Sequence, residues 1–278
     1  MTNFLTNLNK EQKKATFYIN GSSLILAGAG SGKTRVLVAK VIYLIKEKKV
    51  SPSSIVMITF TNKAASEMKE RIKKELGSFI HLGYIGTFHS FAASILRRFW
   101  KEAGVDRNFL IYDEDEQALL IKNILKKEDK EKKSPRYYLH YISYAKNHLI
   151  LPEDFLDHFS FYQAASVADI YFRYQKEMKK NKALDFDDLL LKTVLLLEKN
   201  KEVLDFYHNK YDYFLVDEFQ DTNFIQYQLT KILGMKKKQV TVVGDFSQNI
   251  YSWRGAEIEN LNRFQKDFSP VSVFYLEK

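Results

Sequence analysis

Short apolar runs recur along the chain, at Leu24–Leu26, Ile55–Thr59, Leu82–Ile85, Phe214–Val216, Val240–Val243 and Val271–Leu276. Each has the length of a buried strand, and helical spacing fills several of the intervals. After Lys33-Thr34, for instance, Leu37, Val41, Leu44 and Ile45 share one face of a helix. Strands alternating with helices predict a parallel sheet covered by helices, an α/β fold. The first five strands each run into a polar segment: a glycine loop, then Phe60-Thr61-Asn62, Gly86-Thr87-Phe88-His89, Asp217-Glu218 and Gly244-Asp245. Polar residues thus gather at the carboxyl ends of the strands, where open α/β sheets bind ligands.

From about residue 91 to residue 199 the pattern changes. Clear strands are absent, and spacing such as Ala118, Leu119, Ile121, Ile124, Leu125 is helical, with Pro135 and Pro152 as punctuation. This predicts an all-helical insertion, 91–199, in an α/β domain built from 1–90 and 200–278. Trp100, in Ile95-Leu96-Arg97-Arg98-Phe99-Trp100, reads as a packing residue.

Composition narrows the classes. The 278 residues are 45% hydrophobic and 28% charged, ordinary for a globular protein and enough for one large or two modest domains. No cysteine is present, so disulfides and thiolate metal sites are excluded and a reducing, cytoplasmic setting is expected. The N-terminus lacks a basic region followed by an apolar core, and Leu189–Leu197, broken by Lys192, is far too short to span a bilayer; no membrane association is expected. A formal net charge of +9 suits a polyanion partner. Much of the excess is lysine in mixed runs such as 126–133, however, which read as solvated loop.

The chemistry is concentrated in two places. Leu24-Ile-Leu-Ala27 followed by Gly28-Ala29-Gly30-Ser31-Gly32-Lys33-Thr34 is strand, glycine loop and helix, the context of a phosphate-binding loop. Its amides and the positive end of the helix would hold phosphate oxygens; Lys33 would reach the terminal phosphates and Thr34 would ligate magnesium. Ala27 stands where the general pattern has glycine. Phe214-Leu215-Val216-Asp217-Glu218 is an apolar strand ending in two acids, with Asp217 placed for magnesium and Glu218 for the proton of an attacking water. Gln248 can hydrogen-bond a γ-phosphate or that water. Tyr251, Trp253 and Arg254 offer rings and a cation on which single-stranded bases stack; packing is the other role open to Trp253. Phe60 and Phe88 either meet bases or fill the core, and His89 either meets phosphate or caps a turn. Asp185, Asp187 and Asp188 read as a helix N-terminus rather than a metal site.

Taken in order, these motifs resemble those of UvrD/Rep/PcrA-type superfamily 1 DNA helicases, over the whole chain. Leu8-Asn9-Lys10-Glu11-Gln12 resembles the adenine-reading motif, and Ala27–Thr34 the phosphate loop, which tolerates alanine at its first position. Thr59–Ala65 and Thr87–Ser90 resemble strand-contacting motifs, Asp185–Leu190 the element closing the insertion, Asp217–Asn223 the acidic motif, and Val243–Ala256 the motif coupling phosphate to DNA. The resemblance implies a RecA-like domain with ATP and Mg2+ as cofactors. It implies nucleotide contacts at Gln12, Ala29, Gly30, Ser31, Gly32, Lys33, Thr34 and Arg35, with Glu218 and Gln248 joining Lys33 in catalysis. For DNA it implies Phe60, Thr61, Asn62, Phe88, His89, Tyr251, Trp253 and Arg254.

It further implies 3′-to-5′ translocation on single-stranded DNA, action at DNA junctions in repair or replication, and a second RecA-like domain of the same polypeptide supplying arginines to the γ-phosphate. The chain is therefore expected to be the N-terminal half of a longer protein, binding Mg-nucleotide but hydrolysing it poorly alone. The motor part of a helicase–nuclease, and a nucleotide-dependent DNA-binding switch without motor activity, are the alternatives.

Overall fold

The computed structural model describes residues 3–28, 30–126, 133–245 and 255–276. Its strands are β1 (Ser22–Ala27), β2 (Ile55–Thr59), β3 (Tyr84–Thr87), β4 (Leu110–Tyr112), β5 (Ala183–Asp185), β6 (Tyr213–Val216), β7 (Val240–Gly244) and β8 (Val271–Leu276). The helices begin with α1 (Asn3–Thr6), α2 (Lys10–Phe17), α3 (Lys33–Lys46), α4 (Asn62–Leu76) and α5 (Phe88–Arg98). Next come α6 (Glu114–Leu125), α7 (Pro135–Asn147), α8 (Phe155–His158), α9 (Ala164–Lys180) and α10 (Phe186–Lys199). The last are α11 (Lys201–Lys210), α12 (Phe224–Gly234) and α13 (Gly255–Asp267). The chain divides into two compact units, Met1–Phe91 with Lys201–Lys278, and Ala92–Asn200.

The first unit is a RecA-like α/β domain. Its six strands run in the order β3-β2-β6-β7-β1-β8, and every pairing is parallel. The register sets Ile58 beside both Val216 and Gly86, and Leu26 beside Gly244, so strand ends align along one edge. The inner strands β1, β2, β6 and β7 are buried almost throughout, which is why their runs are continuously apolar instead of alternating, whereas the edge strands β3 and β8 are partly exposed. Ile25, Met57, Leu215 and Val243 are fully buried with Val36, Leu37 and Val41 of α3. Helix α3 is buried more completely than one apolar face requires: Val36, Val38, Ala39, Lys40 and Ile42 are inside as well as Leu37, Val41 and Leu44, while Ile45 is half-buried. The third strand begins at Tyr84, two residues later than its apolar run. Gly83 is pinned by its N–H to the carbonyl of Pro52, and a Cβ there would lie 2.1 Å from the Ser53 carbonyl, so pairing with β2 starts only at Val56 and Tyr84.

The second unit is helical apart from β4 and β5. These pair in parallel through Leu110–Ala183, Ile111–Leu184 and Tyr112–Asp185, so the insertion is not all-helical. Three-residue strands leave no periodicity in the sequence, and their partners are some seventy residues apart. Each strand runs into a capped helix: Asp113 forms a capping box with Glu116 on α6, and Asp185 forms one with Asp188 on α10. Ile121, Ile124 and Leu125 of α6 enter the core with Tyr138, Ile142, Val167, Ile170, Tyr171 and Tyr174, whereas Leu119 faces solvent. Trp100 lies in the turn after α5, half-buried, with the Lys101 ammonium 5.4 Å from its ring centre. Among the described residues no helix is long and apolar enough to cross a membrane.

Candidate active site

Strand β1 delivers the glycine loop to the carboxyl edge of the sheet, and α3 leaves it. Gly30 (φ 77°) and Gly32 (φ 90°) take left-handed backbone conformations that side chains rarely adopt. The loop is braced by Ser31, whose N–H and hydroxyl both donate to the Gly28 carbonyl, at 3.2 and 2.7 Å. Gly32 is the N-cap of α3, and no side chain caps the helix there. The first turn thus presents its amides and its positive dipole end to the sheet edge, which favours an anion.

Gln12 closes the loop from outside. It sits in a capping box with Asn9 at the start of α2, so its side-chain oxygen is fixed by the Asn9 N–H. Its amide nitrogen donates to the Ser31 carbonyl at 3.0 Å. A Cβ at residue 32 would come within 2.9 Å of that nitrogen and displace it, and φ 90° already favours glycine there. Arg35 turns its guanidinium away, donating to the Asn7 carbonyl at 2.9 Å and lying over the Phe4 ring. Its side chain therefore braces the N-terminal segment, and its backbone N–H is the group it can offer a phosphate.

Strand β7 stands between β1 and β6 in the sheet, yet the two chemical ends meet. The Thr34 hydroxyl donates to Asp217 Oδ2 at 3.2 Å, and Lys33 Nζ is 2.9 Å from Glu218 Oε2. Asp217 is 2% exposed, and its other oxygen, Oδ1, is buried without a hydrogen-bond partner. Burial, reinforced by the neighbouring Glu218 charge, pushes the Asp217 carboxyl up to about 6 against the opposing pull of the Glu218 backbone N–H, the Thr34 hydroxyl and Lys33. A buried carboxylate with an orphaned oxygen, next to a threonine hydroxyl, is a donor set that fits a hard cation such as Mg2+, which takes few protein oxygens and completes its shell with water and phosphate. Glu218 itself is held at φ 50°, ψ 44°, a conformation unusual for a residue with a side chain.

The expected strand contacts sort unevenly. Thr61 and Asn62 are exposed at the sheet edge, although the Thr61 hydroxyl is already engaged in capping α4 through the Ala64 N–H. Phe60 is half-buried, with its ring edge-to-face on Phe88 at 6.2 Å. Phe88 is 2% exposed. The expectation that it meets bases is therefore corrected: the ring belongs to the core and supports Phe60 from behind. His89 is half-buried in the first turn of α5. Ala29, Gln248, Tyr251, Trp253 and Arg254 lie outside the described residues. Two features escaped sequence reasoning. One is Gln220, which bonds to Glu218. The other is Lys146, which turns Asp185 and Asp188 from plain capping acids into members of a buried ion network. Neither carries a signal in spacing, because each depends on where elements meet.

A family model for the UvrD/REP helicase N-terminal domain matches residues 8–269. The chain belongs to that family. The ATP-dependent DNA helicase PcrA of Staphylococcus aureus (strain Mu50) is 46% identical over 280 residues, covering 100% of this chain and 38% of the relative. PcrA of Staphylococcus epidermidis (strain RP62A) is 45% identical with the same coverage. The chain therefore spans under two-fifths of the length of these relatives. The phosphate loop, the Asp217-Glu218 strand end and the insertion all fall within the matched region.

Proposed function

We propose that the chain is the ATP-binding motor half of an ATP-dependent DNA helicase that moves 3′ to 5′ on single-stranded DNA, acting at junctions in cytoplasmic DNA repair or replication. The observation that carries this reading is the meeting of Lys33, Thr34, Asp217 and Glu218 at one sheet edge. The loop amides and Lys33 bind the β- and γ-phosphates. Thr34 and Asp217 hold magnesium, which when bound offsets the charge on the phosphate oxygens. Lys33 is paired with Glu218, and a γ-phosphate would compete for the ammonium and free the carboxylate. Glu218 then accepts a proton from the attacking water, with Gln248 orienting that water. Gln12, already bonded to the loop, has one amide hydrogen left with which to read adenine.

The +9 charge and the polar edge formed by Phe60, Thr61, Asn62 and His89 support a DNA strand crossing the carboxyl ends of β2 and β3. Tyr251, Trp253 and Arg254 would add stacking. A second RecA-like domain of the same polypeptide would supply arginine to the γ-phosphate, worth ~10³–10⁵ in rate.

The test compares the full-length protein with its Lys33→Ala variant. The expected result is ATPase activity stimulated by single-stranded DNA in the parent, and loss of both nucleotide affinity and turnover in the variant. Equal calorimetric affinity for Mg-ATP in both would remove Lys33 from the site. Turnover indifferent to single strands would replace the motor with a nucleotide switch.

A further inference from the structure

Glu218 is bonded to more than Lys33. Gln220, in the short turn Phe219–Asp221 that follows β6, donates from Nε2 to Glu218 Oε2 at 2.8 Å and to Asp221 Oδ2 at 3.1 Å. Its Oε1 accepts the backbone N–H of Asp245 at 3.0 Å, at the end of β7. Each end of this amide is thus committed. The opposite orientation would put its oxygen against two carboxylates and its nitrogen against a backbone N–H, losing all three bonds. The side chain is locked in one pose by β7, the strand lying between the acidic strand and the loop strand.

We propose that Gln220 is a positioning residue for Glu218. This rests on the reading of Glu218 as the group that takes the proton from water. Glu218 Oε2 has two donors, Lys33 at 2.9 Å and Gln220 at 2.8 Å. Phosphate removes the first. Gln220 is then the donor that keeps the carboxylate aimed, and its oxygen transfers the rigidity of β7 to that base. Both of its amide hydrogens are used, so it has none to spare for the nucleotide. The inference therefore separates catalysis from binding: losing Gln220 should slow turnover without weakening ATP.

The experiment uses the full-length protein, ATP and a single-stranded oligothymidylate, with Gln220→Ala, Gln220→Glu, Glu218→Gln and the double variant Glu218→Gln/Gln220→Ala. Gln220→Glu keeps an acceptor for the Asp245 N–H but has no donor for Glu218, so it tests the bond to Glu218 apart from the tether to β7. Both single changes at 220 are expected to lower kcat about tenfold or more, a fraction of the ~10²–10⁴ that a general base contributes. KM for ATP and calorimetric affinity should stay within about twofold. In the Glu218→Gln background, Gln220→Ala should cost nothing further, because residues acting as a unit are not additive. A raised KM with unchanged kcat, a full additional loss in the double variant, or a Gln220→Glu enzyme that turns over like the parent each overturns the positioning role. Should the parent itself show no DNA-stimulated ATPase, the functional reading falls and this inference with it; normal parental turnover with an unaffected Gln220→Ala variant sinks this inference alone.

Discussion

Replacing Lys146 by methionine should unfold the helical unit before the α/β unit. Lys146 on α7 is fully buried, with Nζ 2.5 Å from Asp185 Oδ2 and 2.9 Å from Asp188 Oδ1. Both carboxylates are buried too, at 2% and 0% exposure. Tyr174 donates its hydroxyl to Asp185, Gln175 donates its amide to Asp188, and the two aspartates accept each other's backbone N–H. Burial alone would depress the Lys146 amine; the two carboxylates outweigh it and hold the amine above its ordinary value. Methionine matches the length of the stem but leaves two buried acids without the ammonium that contacts them both. Removing one partner of a buried pair costs about 3–5 kcal/mol. For a unit of about a hundred residues each kcal/mol lowers the melting temperature by about 4–8 °C, so a fall of at least ~12 °C is expected. The remaining donors keep the loss from being larger. The assay is native-state hydrogen exchange on the amides of α7, α9 and α10, because two units need not unfold in one transition. Adding Asp185→Asn and Asp188→Asn to Lys146→Met should recover most of the loss, since asparagine still caps α10 and no charge stays buried. A Lys146→Met chain within about 1 kcal/mol of the parent would refute the reasoning. It would mean that these acids are not ionised inside the fold.

Three other outcomes are expected from the geometry. Gly32→Ala places a methyl group 2.9 Å from the Gln12 amide at φ 90°, so it should weaken Mg-ATP binding at least tenfold in calorimetry while β1 and α3 stay folded; unchanged affinity would show that the loop tolerates the shift. Burial pushes the Lys40 amine, at the carboxyl end of α2, down to about 7. Between pH 7 and 10.5 the unfolded chain therefore holds a proton that the folded chain does not. The urea-measured stability of the parent should rise across that window relative to Lys40→Met, by about 1 kcal/mol per pH unit, and parallel curves would contradict the depressed amine. Trp253→Ala should cost roughly 1–3 kcal/mol in single-strand affinity with an unchanged salt slope, read by fluorescence titration at several salt concentrations; a folded variant that binds as tightly as the parent would return Trp253 to the core.

How much of this was legible in the chain depended on distance along it. The glycine loop between β1 and α3 was legible because strand, glycines and helix are consecutive in the chain. The inner strands were legible from apolar runs, since strands buried on both faces cannot alternate. The burial of Phe88 was not: it comes after a strand at the ligand edge just as Phe60 does, and only packing beneath Phe60 tells them apart. The acids at 185 and 188 showed their capping role, because a cap is local. Their ion pair did not show, because Lys146 lies 39 residues before Asp185, on a different helix. The pair β4 and β5 was hidden for both reasons, being short and distant. Gln220 sits beside acids that drew the eye, but its role depends on the N–H of Asp245, which no pattern in its own segment predicts.

The pairing of Lys33 with Glu218 bears on how the site works before ATP arrives. It is a partly exposed ion pair, with side chains 14% and 34% exposed. Such pairs contribute on the order of 0–1 kcal/mol. A triphosphate offers Lys33 charge-assisted bonds about twice as strong as neutral ones, along with the loop amides and the helix dipole. The pair is therefore too weak to oppose a phosphate that competes for Lys33. Glu218 is simultaneously held in a left-handed conformation that costs of order 1–3 kcal/mol for a residue with a side chain, more than the ion pair returns. That strain must be supported by something other than Lys33. The bonds available are the Asp217 N–H to the Ile58 carbonyl, the Asp221 N–H to the Glu218 carbonyl, and the Gln220 amide. None of the three involves Lys33, so on the proposed reading a phosphate that draws Lys33 away would leave the Glu218 carboxylate where these bonds hold it.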